Sequence, residues 1–542
     1  MSIETQIVDA VIVGAGFGGM YQLHRFRNMG LTTRVFDKAS DVGGTWYWNR
    51  YPGARCDVES MAYSYSFSPE LEQEWQWTEK YPTQPEILRY AQHVADRFDL
   101  RRDITFDTKV LSAHWDEGVG RWRVKTDGGE TVEAQFLIMA TGCLSAPKEI
   151  DIDGAASFRG PTYATHSWPH EGVDFSGQRV AVIGTGSSGI QTIPEVAKQA
   201  ASMVVFQRTP NYSMPAQNRP LDPDEIAAMK AKYRDFRKAQ RESGFGVPVP
   251  QPTMPAGMDT ADGRQQKFQA GWDEGSLVAI LTSYTDTLTN ATANNYAQEF
   301  IRDKIRDIVD DPQTAEDLCP KTYPMGTKRP CLDTNYYATF NRDDVELVNL
   351  RRTPIECITD KGVKTTDAEY EVDTIVYATG FDAMTGALTR IDIRGKDGQS
   401  LRDVWADGPV SYLGLSISGF PNLFTVTGPS SPSVLSNMMV SIEQHVDWIS
   451  DCIQWMNDQG HTVLEATPEA QEEWRAHVEV QGNLTLYPQA DSWYMGANVP
   501  GKPRVFMAYI GGVGVYRVVC DSIAAQGYYG YVTDGASAMA AK

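Results

Sequence analysis

The chain has 542 residues, 42% hydrophobic and 22% charged, with 70 Asp and Glu against 49 Lys and Arg and a formal charge of −21. That length is too great for one core and calls for several domains, while the acidity excludes nucleic-acid partners and anionic membranes. No stretch reaches the roughly 20 apolar residues of a membrane span.

Seven scattered cysteines, with no C-x-x-C pair, suit a reducing compartment better than a disulfide frame or a zinc site. The first strand is expected near residue 8, which leaves no room for a secretory leader. A cytoplasmic protein without a metal is expected.

Residues 8–16, VDAVIVGAG, form an apolar, β-branched run that stops at glycine, the pattern of a buried parallel strand. Gly14, Gly16 and Gly19 follow as G-x-G-x-x-G, then a helical stretch and a second strand, 31–37, ending in Asp37. Small residues there let the backbone approach a pyrophosphate at a helix N-terminus, and a strand-end acid accepts from ribose hydroxyls.

The next stretch, 43–57, GGTWYWNRYPGARCD, is dense in aromatics, Gly and Arg and reads as an irregular loop packed against something flat and charged. Residues 83–100 carry Ile87, Leu88, Ala91, Val94 and Phe98 near helical spacing and read as an amphipathic helix facing the core. Short strands are expected within 104–116 and at 121–127. A buried strand, 136–142, ends in Ala-Thr-Gly.

A second fingerprint lies at 179–200, with Gly184, Gly186 and Gly189. Its second strand, 202–210, ends in Gln207 and Arg208 rather than in an acid. Arginine pairs with a ribose 2′-phosphate that an acid would repel, so the second nucleotide should be NADP(H). Residues 221–320 turn helical and charged, broken by a Pro-, Gly- and Met-rich run at 245–258. Strands resume at 344–350 and 371–382, the latter repeating Ala-Thr-Gly, before a strand and loop at 422–437 and a helix at 439–458. The fold class is therefore α/β, two Rossmann-like dinucleotide-binding domains with a helical insertion over 221–329. The first domain comprises 1–150 and 390–542, the second 151–220 and 330–389.

The two fingerprints, the Trp-rich loop, the segment ending Trp168-Pro169, both Ala-Thr-Gly strands, 326–337 (GTKRPCLDTNYY) and 492–506 (SWYMGANVPGKPRVF) together resemble a type I Baeyer–Villiger monooxygenase. The resemblance covers nearly the whole chain. It implies FAD on the Gly14 turn and NADPH on the Gly184 turn, with O2 and a small ketone as the other partners. The implied reaction passes through a C4a-peroxyflavin to an ester or lactone. A permanent cation is needed beside the negative charge, and arginine suits that need.

By the family pattern that cation is Arg329, Asp57 positions it, and Asp57 also belongs to the cofactor site. The resemblance further implies cofactor contacts at Thr45, Trp46, Ser187, Ser188, Gln191, Thr209, Lys328, Met438 and Trp493. One position departs. The family segment is F-x-G-x-x-x-H-x-x-x-W, and Phe158, Gly160 and Trp168 fit while Ala164 stands where the histidine belongs. His166 follows two residues on. If 160–168 is extended, alternation sends His166 the same way as Ala164, and it could replace the family residue.

Rival readings are a flavin N- or S-monooxygenase acting on amines or sulfides, a disulfide reductase, and a non-catalytic NADPH-binding protein. A monomer or weak oligomer is expected.

Overall fold

The computed structural model describes residues 5–534. Strand Gln6–Val13 begins two residues before the apolar run. It pairs in parallel with Thr33–Phe36 on one side and Thr131–Met139 on the other. The latter shows how burial follows from what covers each half. Over 131–135 only Val132 and Ala134 are buried, the alternation of a one-sided antiparallel pairing with Arg121–Thr126. Over 136–139 every residue is buried, where the strand takes Leu423–Thr425 as a parallel neighbour. Val110–Asp116, Asp392–Arg394 and Ile104–Thr105 complete an eight-stranded sheet.

The second sheet is wholly parallel, in the order Val345–Asn349, Ser202–Gln207, Arg179–Ile183, Thr374–Tyr377, Thr162–Ala164. Two chain connections join the sheets and run antiparallel to each other. The Lys148 amide donates to the Gly380 carbonyl at 3.2 Å, that of Asp382 to Ala146 at 2.9 Å, and that of Met384 to Cys143 at 2.9 Å.

A short parallel pair, Ser213–Pro215 with Cys331–Asp333, closes the base of a strand-free insertion. Its helices start where the sequence supplies caps. Asp222 accepts from the Asp224 amide, Asn290 from those of Thr292 and Ala293, and Asp311 from Thr314. Phe268, Trp272 and Phe300 of the insertion share one core with Val180, Ile190 and Val205 of the second sheet, so burial of these apolar faces holds the insertion to that domain.

Three expectations are corrected. The helical pattern at 221–244 divides into Pro223–Lys230 and Tyr233–Glu242. On helix Gln84–Arg97 and its C-cap, Ile87, Ala91 and Val94 are buried, but Leu88 and Phe98 are only half-buried, and Glu86 and Tyr90 share the inner face. The segment 160–168 is not extended throughout. Only Thr162–Ala164 is a strand, and Thr165–Ser167 form a 3₁₀ turn. The turn buries Thr165 and carries Trp168 into the core beside Tyr163 and Phe175. A period of two cannot place both.

The sequence pattern also passes over the small antiparallel sheet Ile355–Ile358, Gly362–Thr365, Glu369–Glu371. Among the described residues no helix is long and apolar enough to cross a membrane, and no cluster of three or more His, Cys, Asp or Glu could hold a metal ion.

Candidate functional site

A cavity of about 1170 Å³ runs between the carboxyl ends of the two sheets and is lined from both glycine turns. Of the expected site residues, Gly19 and Gly189 alone lie outside its wall. They sit one helical turn further in, where an added Cβ would stand 1.8 Å from the Gly14 carbonyl oxygen and 2.2 Å from that of Gly184. Their smallness serves the packing of helix on turn. Gly14 and Gly184, at φ of +108° and +113°, leave no room for a side chain because the Ala140 and Ala378 carbonyls stand opposite.

At the first turn, Asp37 is buried and accepts from the Ala15 amide at 2.6 Å and the Ala39 amide at 2.8 Å. Burial pushes its carboxyl up, and the two amides pull against that. Each oxygen keeps a lone pair for a ribose hydroxyl. The Trp-rich loop folds over this turn through Gly43 and Gly44, both at positive φ. It forms the helical turn Thr45–Trp48, and the Trp46 indole donates to the Tyr63 hydroxyl at 3.0 Å.

The same loop then clasps the second turn. The Tyr51 hydroxyl donates to Gln191 Oε1 at 2.9 Å, and Gln191 Nε2 donates to the Arg55 carbonyl at 3.1 Å. Gly53, at φ of +80°, presses against the Gln191 backbone, whose oxygen would lie 2.2 Å from a Cβ. The side chain of Gln191 thus holds two domains together at the mouth of the nucleotide turn. Tyr51 and Gly53 carry no local signal of this contact, although both lie within the aromatic stretch 43–57.

Ser187 and Ser188 open the helix Ser187–Ala197. The Cys331 thiol lies 3.2 Å from Ser187 Oγ. The Thr165 hydroxyl donates to Ser188 Oγ at 3.3 Å. Within the 158–169 segment it is therefore Thr165 that reaches the second turn. His166 goes elsewhere, its half-buried ring edge-on to Phe381 at 6.2 Å. Burial, and then Lys38 and Arg390 nearby, hold its pKa down. It is a junction residue, and a 3₁₀ turn rather than an extended chain carries it.

Where the two turns face each other, Arg329 and Asp57 form an ion pair at 3.0 Å. Asp57 comes from the Trp-rich loop and Arg329 from the chain leaving the insertion. Burial pushes the Asp57 carboxyl up while the guanidinium draws it back. Burial alone would pull Arg329 down, yet the Asp57 carboxylate beside it acts the other way, so it remains a cation at any working pH. Asp57 Oδ1 is buried and has no hydrogen-bond partner among the described residues, which marks the position for a donor on a bound group.

Arg208, Thr209 and Lys328 line the second nucleotide's end of the cavity, with the Lys328 ammonium 4.7 Å from the Tyr323 ring centre. Met438 stands at the N-terminus of the helix Met438–Gln459, and Trp493 packs on Tyr494 at 4.2 Å. The loop bearing Trp493 is anchored by Lys502 on Asp382 at 2.8 Å and by Asn498 on the Phe381 carbonyl at 2.8 Å. No sequence signal marked those anchors. All seven cysteines are free, and burial pushes the Cys56 thiol up to about 12 and that of Cys143 to about 11. That is the opposite of a reactive thiolate, and it speaks against dithiol exchange.

A family profile described as pyridine nucleotide-disulphide oxidoreductase matches residues 11–239. A Baeyer–Villiger monooxygenase of Pseudooceanicola batsensis is 42% identical over 97% of this chain and 96% of its own. Among solved structures, oxidized steroid monooxygenase bound to NADP is 51% identical, with a TM-score of 0.94 over 97% of this chain and 99% of that one. The crystal structure of OTEMO in complex with FAD and NADP is 40% identical, with a TM-score of 0.94 over 97% and 99%.

Proposed function

The chain belongs to the Baeyer–Villiger monooxygenase family, and we propose that it inserts one oxygen atom of O2 beside the carbonyl of an apolar ketone, giving an ester or lactone with NADPH as reductant. The observation that carries this reading is the Arg329–Asp57 pair at the meeting point of two dinucleotide turns.

The residues present fit both cofactors. The Gly14 turn, with Asp37 at its strand end, offers a pyrophosphate and a ribose their partners, and the Gly184 turn with Arg208 does so for a phosphorylated ribose. FAD, once reduced by NADPH, supplies the activated oxygen. Arg329 lines the cavity, is 31% exposed, and among the described residues forms an ion pair with no acid other than Asp57. Its remaining N–H groups are available to a negative oxygen nucleophile and to the oxyanion that develops on the carbonyl.

A permanent cation here favours a deprotonated nucleophile, the form that adds to a carbonyl. Oxygenation of amines or sulfides needs a protonated electrophile instead. Asp57 holds the guanidinium in place, and its free oxygen can accept from a cofactor donor. Phe236, Phe245, Val247, Leu281, Leu435 and Met438 face the same cavity and exclude water from it. Gly246, at φ of +68°, lets the 245–249 run approach Asn437, whose amide nitrogen also donates to the Ala62 carbonyl at 2.8 Å.

Chain charge opposes self-association, and unpaired thiols suit a reducing compartment. Both support a cytoplasmic monomer or weak oligomer. The test is a panel of ketones, a thioether and an amine, followed by NADPH oxidation and mass spectrometry of products. Ester from at least one ketone is expected. Oxygenated amine with no ester from any ketone would overturn the reading.

A further inference from the structure

We propose that Arg237 and Gln240, two buried side chains of the helix Tyr233–Glu242, set the width of the ketone end of the cavity and so decide how bulky a ketone it takes. They are positioning residues and touch no substrate themselves. The inference rests on reading this protein as a ketone oxygenase, and it names a determinant of substrate size.

Three separate chain segments wall the cavity away from both glycine turns. Ala62 follows the Trp-rich loop, Phe245 and Val247 belong to the Pro- and Gly-rich run, and Leu435, Ser436 and Met438 lie at the start of helix Met438–Gln459. A knot of buried primary amides ties the three together. Gln240 Nε2 donates to the Ala62 and Gly246 carbonyls, at 3.1 Å in each case. Asn437 Nδ2 donates to the same two, at 2.8 and 3.4 Å. Each carbonyl thus receives both amides, using its two lone pairs.

Both amides are oriented from behind. Arg237 Nη1 donates to Gln240 Oε1 at 2.7 Å, and the Met439 backbone amide donates to Asn437 Oδ1 at 3.1 Å. With the oxygens so engaged, the NH2 groups face the carbonyls. Arg237 is itself immobilised. Its Nε pairs with Glu72 at 2.6 Å, with the two side chains only 5% and 8% exposed, and its Nη2 donates to Ser64 Oγ at 2.6 Å. A planar guanidinium fixed on several sides hands that rigidity on to Gln240.

The run held by this knot passes between two cores. Tyr233, on the same helix as Gln240, belongs to a core that includes Ala10 and Ile12 of the first sheet, whereas Ala256 belongs to one that includes Val180 and Val205 of the second. The knot therefore fixes where the bridging stretch leaves the first domain. A Cβ on Gly246 would stand 3.0 Å from that of Asn437, so the run already lies as close to the loop as its backbone allows. Without Gln240, the buried Gly246 carbonyl keeps only the 3.4 Å bond among the described residues. A buried carbonyl short of a donor turns toward water. The run then moves off Asn437, and the cavity widens at this end.

Removing Arg237 would strand the Glu72 carboxylate in the interior, so the test is made on Gln240. Gln240→Met keeps the length of the side chain and removes the donor. Gln240→Glu also removes the donor but keeps an acceptor for Arg237. Each is compared with the unaltered FAD-loaded enzyme on a short dialkyl ketone and on a bulkier aryl ketone, with ester formation as the readout. One hydrogen bond corresponds to about two- to tenfold. The kcat/KM for the bulky ketone relative to the short one should rise by about that factor, through a lower KM rather than a higher kcat. Flavin reduction by NADPH should stay within about twofold, because neither glycine turn is touched. A ratio that is unmoved, or that moves toward the short ketone, in whichever variant folds would overturn the proposal. So would equal loss on both ketones, the mark of a merely structural role. If the unaltered protein gives ester from no ketone, the reading of its function fails first, and this inference falls with it.

Discussion

Gly14 and Gly184 occupy the same backbone conformation, at φ of +108° and +113°, and face the carbonyls of Ala140 and Ala378 at 2.4 and 2.5 Å from where a Cβ would be. Their surroundings differ. Two residues on, Gly16 meets the Cα of Gly44 at 3.4 Å, whereas nothing comes within 4 Å of the corresponding point on Gly186. The Trp-rich loop therefore roofs the first turn at Gly16, whereas it holds the second only through Gln191 and leaves Gly186 open. The first strand end is a buried Asp37 satisfied by backbone amides, the second an exposed Arg208 with no carboxylate partner among the described residues. Two copies of one motif thus differ in what packs on them.

The largest effect should come where the two regions meet. Arg329→Ala removes the only cation paired with Asp57 among the described residues, and loss of one preorganised charge-stabilising donor costs about a hundred- to a thousandfold in rate. Stopped-flow spectra with product analysis should show flavin reduction by NADPH continuing while ester formation stops. Asp57→Ala should lose less, because it acts through the arginine.

The next pair separates the turns themselves. Gly14→Ala and Gly184→Ala meet the same clash at the same backbone angle, a strain of roughly 1–3 kcal/mol, or about five- to a hundredfold in binding. The first should yield protein poor in FAD. The second should yield yellow protein that binds NADPH about five- to a hundredfold more weakly. Absorbance ratios and NADPH titration would report the two outcomes, and loss of FAD from both variants would erase the distinction drawn above.

Arg208→Ala sharpens the same contrast more mildly. Its KM for NADPH should rise about ten- to a hundredfold with NADH nearly untouched. Equal loss with both would remove Arg208 from the phosphate site. The smallest effect belongs to His166→Ala, which forfeits an edge-to-face contact worth about 0.5–1.5 kcal/mol at the domain junction. Hydrogen peroxide released per NADPH consumed should rise about two- to tenfold. Ala164→His, in strand Thr162–Ala164 rather than in the 3₁₀ turn that carries His166, should not repair that loss.

Local rules made much of this protein legible in its sequence. A glycine needed at positive φ, an apolar run that ends there, and a cap such as Asn290 or Asp222 act over a few residues, so the two turns, their strands and the insertion's helices could be read without a partner in view. The sign of the residue closing each second strand was equally local, Asp37 in one and Arg208 in the other. What only the tertiary structure decided are pairings between distant segments. Asp57 finds Arg329, Tyr51 and Gly53 clasp Gln191, and Arg351 lies on the backbone of Arg208. His166 shows the limit most plainly. Alternation along an extended chain is a local expectation, and it gave way where burying Thr165 and Trp168 against the second sheet required a 3₁₀ turn. Burial is settled by the whole fold, and it outweighs the backbone preference of three residues.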